Sequence, residues 1–237
     1  MPALSDILRF HRPDFTKPGL RAGLLGLMLC IFMLVLPQNS LAQAAAKLNA
    51  GDGPVILVVG DSLSAEYGLK RGSGWVSLMA QRLATEKIPA RVVNASISGD
   101  TTSGGRSRLG TLLTQHKPGV VIIELGGNDA LRGLPLDMTE GNLRAMTQAV
   151  QKAGARVLLV GMQVPPNYGS DYAAKFSGLF ARVAKDSKAG LVPFLLKGVA
   201  DTGDATGMFQ ADRIHPTEQA HSLMLANVWP ELRKLAK

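Results

Sequence analysis

Two short stretches near opposite ends of the chain carry side chains that suit nucleophilic catalysis. The first, GDSLS, places Ser62 at a glycine-bearing turn after an apolar run, which by itself is equally typical of a helix cap. The second, DRIHP, places Asp212 three residues before His215. A serine needs an adjacent base to take its proton, and that base needs a third group to fix its tautomer. Ser62, His215 and Asp212 together therefore predict a serine hydrolase.

Two further stretches contain groups that can donate hydrogen bonds to a reacting carbonyl oxygen. They are SISGD, with Gly99, and GGND, with Asn128. Acyl transfer needs donors aimed at the developing oxyanion, which the N–H of Gly99 and the side-chain amide of Asn128 can supply. A lone Gly or Asn in a turn more often serves a positive φ, so these residues gain meaning only alongside the other two stretches.

Other histidines compete with His215 for the role of general base. His221 falls inside a predicted helix, and His116 lies at a predicted helix end before Lys117 and Pro118. His116 has no carboxylate three residues earlier in the chain, and Glu218, which has that spacing to His221, falls in the same predicted helix as that histidine. His215 is therefore the favoured base.

From residue 54 onward, short β-branched runs alternate with longer amphipathic segments. Apolar runs are typical of strands buried on both faces, and they predict strands at PVILVVG, RVVNAS, GVVIIELGG, RVLLVGM and LVPFLL. Helices are predicted over residues 74–85, 103–115, 138–153, 171–188 and 216–235, and a long surface loop over 197–211. This order predicts an α/β fold with three layers, α/β/α, around a doubly wound, five-stranded parallel sheet of the flavodoxin-like kind.

The predicted strands explain how distant residues reach one site. In open parallel sheets, ligands bind outside the carboxyl ends of the strands. Ser62 follows the first predicted strand, Gly99 the second and Asn128 the third. Glu124 interrupts the third strand, and we expect this carboxylate to be structural and bonded to nearby backbone or to an Arg, because a buried carboxylate needs a partner.

Residues 1–44 have the pattern of a signal peptide with a short linker. Basic side chains precede the uncharged run AGLLGLMLCIFMLVL, and small residues lead to predicted cleavage near Ala42 or Ala44. The run is shorter than the roughly 20 residues of a membrane-spanning helix, so an uncleaved anchor is the less favoured alternative. It contains Cys30, the only cysteine, so we expect no disulfide in the remaining domain. That domain, residues 45–237, is expected to be periplasmic or secreted.

The charge of the chain limits its partners. The whole sequence carries +8, and removal of residues 1–44 leaves 22 basic and 16 acidic side chains, or +6. The cations are dispersed and no aromatic-rich RNA motif accompanies them, so we expect no nucleic-acid partner, although transient contact with membrane lipids fits a basic surface. No Cys/His cluster or phosphate-binding glycine loop predicts a metal or cofactor. We expect a monomer acting on a small-molecule substrate.

The four stretches resemble, in order, the sequence blocks of the SGNH (GDSL) hydrolase superfamily. The resemblance covers roughly residues 54–230, and further likeness lies in GDSLSAEYGL, Gly74-Trp75, ELGGNDALRGLP and HPTEQAH. These are similar to the periplasmic type described as acyl-CoA thioesterase, protease, arylesterase and lysophospholipase. The resemblance implies a serine esterase or thioesterase that forms an acyl-enzyme, with acyl esters, thioesters or lysophospholipids as substrates.

The resemblance also assigns roles to individual residues. It implies that Ser62 is the nucleophile, that His215 and Asp212 complete the triad, and that the backbone N–H groups of Ser62 and Gly99 form the oxyanion hole with the Asn128 amide. It further implies a substrate-contacting loop over residues 129–135, with Asp129, Leu131, Leu134 and Pro135 as binding residues. By residue type, Asp61 and Asp129 are turn-fixing groups rather than acids in the chemistry.

Two other functions remain open from the sequence. A carbohydrate deacetylase of the same superfamily needs a polar groove rich in aromatics, whereas 5% of this chain is aromatic. A non-catalytic periplasmic binding protein with the same fold would be expected to lack at least one block residue, and here none is missing. Both alternatives are therefore less favoured than the esterase.

Overall fold

The computed structural model describes residues 53–202 and 206–236. The predicted signal peptide, its cleavage sites and Cys30 lie outside the described residues, as do three residues of the predicted loop 197–211. The described part falls within one compact unit, Lys47–Lys237. None of the helices in these two ranges is both long and apolar enough to cross a membrane.

One parallel sheet forms the centre of the described structure. Its strands lie in the spatial order β2-β1-β3-β4-β5, so the chain reverses direction across the sheet after β2. Every residue of β1 and β3 is buried, as their continuous apolar runs predict. The strands are β1 Val55–Gly60, β2 Arg91–Asn94, β3 Val120–Glu124, β4 Arg156–Val160 and β5 Gly190–Val192. The predicted doubly wound α/β fold is confirmed.

Helices cover both faces of the sheet and complete the three layers. On one face α1 packs against α6, and on the other α4 packs against both α2 and α5. Buried aliphatic and aromatic side chains from both layers form one continuous core with the strands. The helices are α1 Trp75–Thr85, α2 Thr102–His116, α3 Gly127–Leu131, α4 Leu136–Lys152, α5 Ser170–Ser187 and α6 Ala220–Leu235.

Two predicted elements differ from the structure, and one element of the structure was not predicted. The last helix begins at Ala220, not at Pro216, because Pro216 forms an antiparallel bridge with Phe209 instead. The strand predicted at LVPFLL ends at Val192, before Pro193, which has no N–H to donate to a ladder. The five-residue helix α3 was not predicted, since GGND suggests only a turn.

The N-terminus of α1 is bonded to two distant segments. The N–H of Trp75 donates to Nδ1 of His221 in α6 over 3.0 Å. The carboxylate of Glu66 accepts from the N–H of Gly74 at 2.9 Å and from the hydroxyl of Ser77 at 2.7 Å. These bonds satisfy donors that a helix leaves free in its first turn. They also join the segment after β1 to the outer helices.

Candidate active site

The segment after β1 holds Ser62 in a tight turn. The carbonyl of Asp61 accepts from the N–H of Ala65 at 2.9 Å, and Oδ1 of Asp61 accepts from the N–H of Leu63 at 3.0 Å. An aspartate that bonds the backbone two residues on is a common turn former. The predicted turn-fixing role of Asp61 agrees with this geometry.

A short loop before α6 carries His215 and Asp212. The N–H of Gln210 donates to the carbonyl of His215 at 2.8 Å, and the N–H of Thr217 to that of Met208 at 2.8 Å. Within the loop, Oδ1 of Asp212 accepts from the backbone N–H of both Ile214 and His215 at 3.0 Å. The three-residue spacing therefore lets one carboxylate close the turn and still offer its second oxygen to the imidazole.

The structure brings the three predicted triad residues together. Nδ1 of His215 lies 2.6 Å from Oδ2 of Asp212, and Nε2 lies 2.9 Å from Oγ of Ser62. The pKa of Asp212 is lowered to about 2, first by the backbone N–H of His215 and then by its imidazole. An ionised Asp212 accepts a hydrogen bond from the Nδ1–H group, which leaves the Nε2 lone pair directed at the serine hydroxyl.

Two residues that were not predicted hold the imidazole in place. The ring of Tyr67 lies against that of His215, with centroids 4.3 Å apart and planes tilted by 36°. The amide of Gln210 donates at 3.0 Å to the carbonyls of both Tyr67 and Pro216. Gly68 makes room for the Gln210 side chain, because a Cβ at residue 68 would lie 2.1 Å from Oε1 of Gln210. These contacts join the serine and histidine segments, but a Tyr or Gln in a loop gives no pattern by which to predict them.

Two of the predicted oxyanion donors are free. Among the described residues, neither the N–H of Ser62 nor that of Gly99 donates to another protein atom. Gly99 has a φ of 79°, which a residue with a Cβ rarely adopts. Its turn is tied to the end of β1, because the N–H of Ile97 donates to the carbonyl of Gly60 at 3.0 Å.

The amide of Asn128 is already hydrogen-bonded. Its nitrogen Nδ2 lies 3.0 Å from Oδ2 of Asp61 and 3.0 Å from the carbonyl oxygen of Asp100. Its two N–H groups are thus directed at the serine turn and the Gly99 turn. Asn128 joins the ends of β1, β2 and β3, and one of its N–H groups must be shared or redirected when it donates to a substrate oxygen.

Arg108 of α2 supports the turn that carries Gly99. Its Nε donates to Oδ2 of Asp100 at 2.9 Å, and Nη2 lies 2.8 Å from the same oxygen. Its Nη1 donates to the carbonyl of Ala95, at the end of β2. One guanidinium thus holds both ends of the segment between β2 and α2. Because charged residues on helices are usually solvated, no sequence pattern singles out Arg108.

Two buried carboxyl groups lie beneath the nucleophile. Oε2 of Glu124 accepts from the hydroxyl of Ser64 at 2.6 Å and from the N–H of Asp61 at 3.4 Å. Burial raises the pKa of Glu124 well above its ordinary value and that of Asp61 to about 6. Gly60 makes room for this arrangement, since a Cβ there would lie 2.8 Å from Oε2 of Glu124. The partners of Glu124 are backbone and a serine, rather than an Arg.

The predicted substrate loop divides into one buried residue and an exposed remainder. Asp129 is fully buried: Oδ2 accepts from the N–H of Thr102 at 2.8 Å, and Oδ1 accepts from the hydroxyls of Thr102 and Thr139. Its side chain therefore joins α2 to α4 and does not face a substrate, which corrects its predicted binding role. Leu131 and Pro135 are exposed and Leu134 is half-buried, as a contact loop requires.

The predicted substrate loop also contacts the turn that carries Gly99. Nη2 of Arg132 donates to the carbonyl of Gly99 at 2.8 Å.

The two histidines that compete with His215 lie away from Ser62. His221 is buried and bonded to α1, and burial lowers its pKa to about 4. His116 ends α2, at the opposite end of that helix from Thr102. Of the described histidines, only His215 lies next to Ser62.

The comparisons with known proteins agree with the fold. The model of the GDSL-like lipase/acylhydrolase family matches residues 58–223. The chain is 48% identical to esterase TesA of Pseudomonas aeruginosa over 87% of its own length and 96% of the relative's. It is 38% identical to thioesterase 1/protease 1/lysophospholipase L1 of Escherichia coli, covering 80% and 88% of the two chains.

A solved structure is similar over nearly its whole length. The crystal structure of a TesA superposes with a TM-score of 0.74 at 51% identity, covering 76% of this chain and 99% of that one. The resemblance inferred from the four sequence stretches is confirmed. The chain belongs to the GDSL-like lipase and acylhydrolase family and is an ester-hydrolysing enzyme.

Proposed function

We propose that this esterase cleaves acyl esters and acyl thioesters, including lysophospholipids, through a covalent acyl group on Ser62. The observation that carries the proposal is the continuous contact from Asp212 through His215 to Oγ of Ser62, over 2.6 and 2.9 Å. A serine so placed can transfer its proton to the imidazole as it attacks a carbonyl carbon.

In the first half of the reaction, Oγ of Ser62 bonds to the acyl carbon while Nε2 of His215 takes its proton. The carbonyl oxygen becomes an oxyanion that accepts from the N–H groups of Ser62 and Gly99 and from the Asn128 amide. When the tetrahedral intermediate collapses, the bond to the alcohol or thiol breaks and the imidazolium protonates the leaving group. Asp212, ionised throughout, stabilises that imidazolium.

In the second half, water takes the place of the leaving group. Nε2 of His215 accepts a proton from water as its oxygen attacks the acyl carbon, and the same donors stabilise the second oxyanion. Collapse releases the carboxylic acid and returns the proton to Oγ of Ser62. No step requires a metal or cofactor.

The loop after α3 is proposed to contact the acyl group. Leu131, Leu134 and Pro135 are apolar side chains that reach the surface a few residues after Asn128. The names of the relatives, esterase TesA and thioesterase 1/protease 1/lysophospholipase L1, support ester and thioester substrates. Asp129 is left out of this set because it is buried.

The working form is proposed to be a monomer of residues 45–237 in the periplasm or outside the cell. The signal-peptide pattern of residues 1–44 supports export. The compact unit Lys47–Lys237, which begins close to the predicted cleavage sites, supports a separate catalytic domain. The proposed partners include no nucleic acid.

The proposal is tested by hydrolysis of p-nitrophenyl esters of increasing chain length, with Ser62→Ala beside the native protein. We expect kcat to fall by about 10³-fold or more in the variant, because no other group replaces the nucleophile. Labelling of the native protein, but not the variant, by a fluorophosphonate identifies the serine. Near-normal turnover by Ser62→Ala would overturn the mechanism. Activity confined to acetylated sugars would favour the deacetylase.

A further inference from the structure

The large apolar side chains that reach the surface are gathered around the catalytic groups. Among the described residues, six such side chains are exposed: Tyr67 49%, Ile97 53%, Leu131 49%, Met138 37%, Ile214 50% and Leu223 38%. Tyr67, Ile97, Leu131 and Ile214 lie in segments that carry the site, and Met138 lies in the first turn of α4, which follows the loop 129–135. We call Tyr67, Ile97, Leu131, Met138 and Ile214 the apolar rim.

Contacts within the site place the rim segments beside one another. Tyr67 lies against His215, and Ile214 precedes that histidine directly. Arg132, next to Leu131, bonds the carbonyl of Gly99, two residues after Ile97. The rim residues of these segments therefore lie at the catalytic end of the sheet. Gathered exposed apolar side chains of this kind mark interaction sites, whereas singly scattered ones need no explanation.

The same segments carry unpaired positive charge. Lys70, Arg71, Arg132 and Arg213 are all exposed, and in the described structure none forms a salt bridge with a carboxylate. We call these four residues the basic collar.

Carboxylates of these segments offset the collar only in part. Asp137, Asp212 and Glu218 are exposed, and Glu66 is half-buried and accepts from backbone amides near α1. Asp61 and Asp129 are buried. The surface around the site therefore combines apolar side chains with four exposed cations that no described carboxylate pairs, on a domain of net charge +6.

We propose that the apolar rim and the basic collar form a docking surface for a lipid bilayer that contains anionic headgroups. Apolar side chains enter the boundary between headgroups and acyl chains, while cations within a Debye length are attracted to anionic lipid. Docking in this orientation presents Ser62 to the membrane surface. The inference rests on the proposed function only in that the rim lies beside the proposed active site.

The test measures binding to sucrose-loaded vesicles by sedimentation. The full chain is expressed with its own N-terminal segment in a Gram-negative host. Its soluble product is purified and its N-terminus read by mass spectrometry, so that every variant compared has the same start. All carry Ser62→Ala, which prevents hydrolysis of the lipid. Vesicles are phosphatidylcholine alone or mixed with phosphatidylglycerol.

We expect binding to the mixed vesicles, weaker binding to phosphatidylcholine, and loss of affinity in 0.5 M salt, about three times the ionic strength at which the Debye length is about 8 Å. Ile97→Ser with Ile214→Ser should weaken binding about tenfold or more, and so should Arg71→Gln with Arg213→Gln. Leu223→Ser, on α6, and Lys175→Gln with Lys185→Gln, on α5, are matched controls that should bind as the parent does.

Three results would overturn the docking surface. One is equal binding of parent and rim variants, and another is equal loss in the matched controls. The third is a parent dimer that the rim variants convert to a monomer, since the rim would then cover a second copy of the chain. Hydrolysis of a soluble p-nitrophenyl ester by the parent with Ser62 restored separates the two proposals. A parent that hydrolyses the ester but does not bind vesicles contradicts docking alone, and a parent that binds vesicles but does not hydrolyse the ester contradicts the mechanism alone.

Discussion

At the scale of single residues, Asn128 has to serve both structure and chemistry. Its amide joins Asp61 to Asp100 across three strand ends, yet the proposed mechanism requires the same nitrogen to donate to the oxyanion. The N–H groups of Ser62 and Gly99 have no such competing bond in the described part of the chain. Asn128 therefore holds the site in shape before substrate binds, and in the proposed mechanism it stabilises the transition state by sharing a donor.

Asn128→Ala should lower kcat by about 10²- to 10³-fold with a smaller change in KM, as loss of an oxyanion donor does. Steady-state kinetics on one p-nitrophenyl ester measure both constants. The matched control is Asn227→Ala, since the Asn227 amide also donates to two backbone carbonyls, those of Leu195 and Lys197. A kcat within threefold of the native value would leave Asn128 with a structural role only.

At the scale of elements, the site depends on hydrogen bonds that join α2 to the segment after β2 and α6 to α1. Arg108 of α2 holds Asp100 and Ala95, and thus both sides of the turn that presents Gly99. His221 of α6 holds the first N–H of α1. Each residue acts on catalysis or stability through the element that it positions.

Arg108→Met keeps most of the side-chain volume but leaves the Asp100 carboxylate without its partner. We expect kcat to fall about tenfold or more, because small displacements of catalytic groups are costly, and the free energy of unfolding to fall by about 1–3 kcal/mol. Arg106→Met, on the same helix, is the control, because Arg106 bonds Asn142 instead. Reduced stability with native kcat would show that Arg108 does not position the turn that carries Gly99.

His221 makes the fold sensitive to acid. Its pKa in the folded protein is lowered to about 4 by burial, against about 6.5 in the unfolded chain. Between these values the unfolded chain binds the extra proton, so stability is fully present above about pH 6.5 and is lost as the pH falls toward 4. Asp61, with a pKa raised to about 6, acts in the opposite direction over the same range.

His221→Asn keeps an acceptor for the N–H of Trp75 but cannot titrate. The urea midpoint of this variant should therefore fall less than that of the native protein between pH 7 and pH 4.5. The contribution of Asp61 is common to both proteins and cancels in the comparison. His116→Asn is the control and should follow the native curve, and parallel curves for all three proteins would contradict the role of His221.

At the scale of the whole molecule, we expect the N-terminal segment to be removed during export and the remaining domain to be folded without it. Cells that express the full chain should yield a product that begins at Gln43 or Ala45 and elutes as a monomer. Intact-mass measurement and light scattering check both statements. A product that keeps residues 1–42 and sediments with membranes would instead indicate a retained anchor.

The sequence predicts most of the sheet because its strands are buried on both faces. Runs such as Val120–Glu124 leave little choice of structure, and parallel order brings Ser62, Gly99 and Asn128 to one edge. What it does not predict depends on long-range pairing. Pro216 suits a helix start by type but is drawn into a bridge with Phe209. The burial of Asp129 follows from contacts with Thr102 and Thr139, which lie 27 and 10 residues away.

The proposed base and nucleophile lie 153 residues apart in the chain. A ribosome therefore completes Ser62, Gly99 and Asn128 long before it adds His215. The loop that carries His215 is joined to the segment after β1 through Gln210, Tyr67 and the contact between His215 and Ser62, once both segments exist. In the proposed mechanism, ester cleavage therefore requires the last part of the chain, and a product that ends before His215 is expected to be inert even where its central strands have assembled.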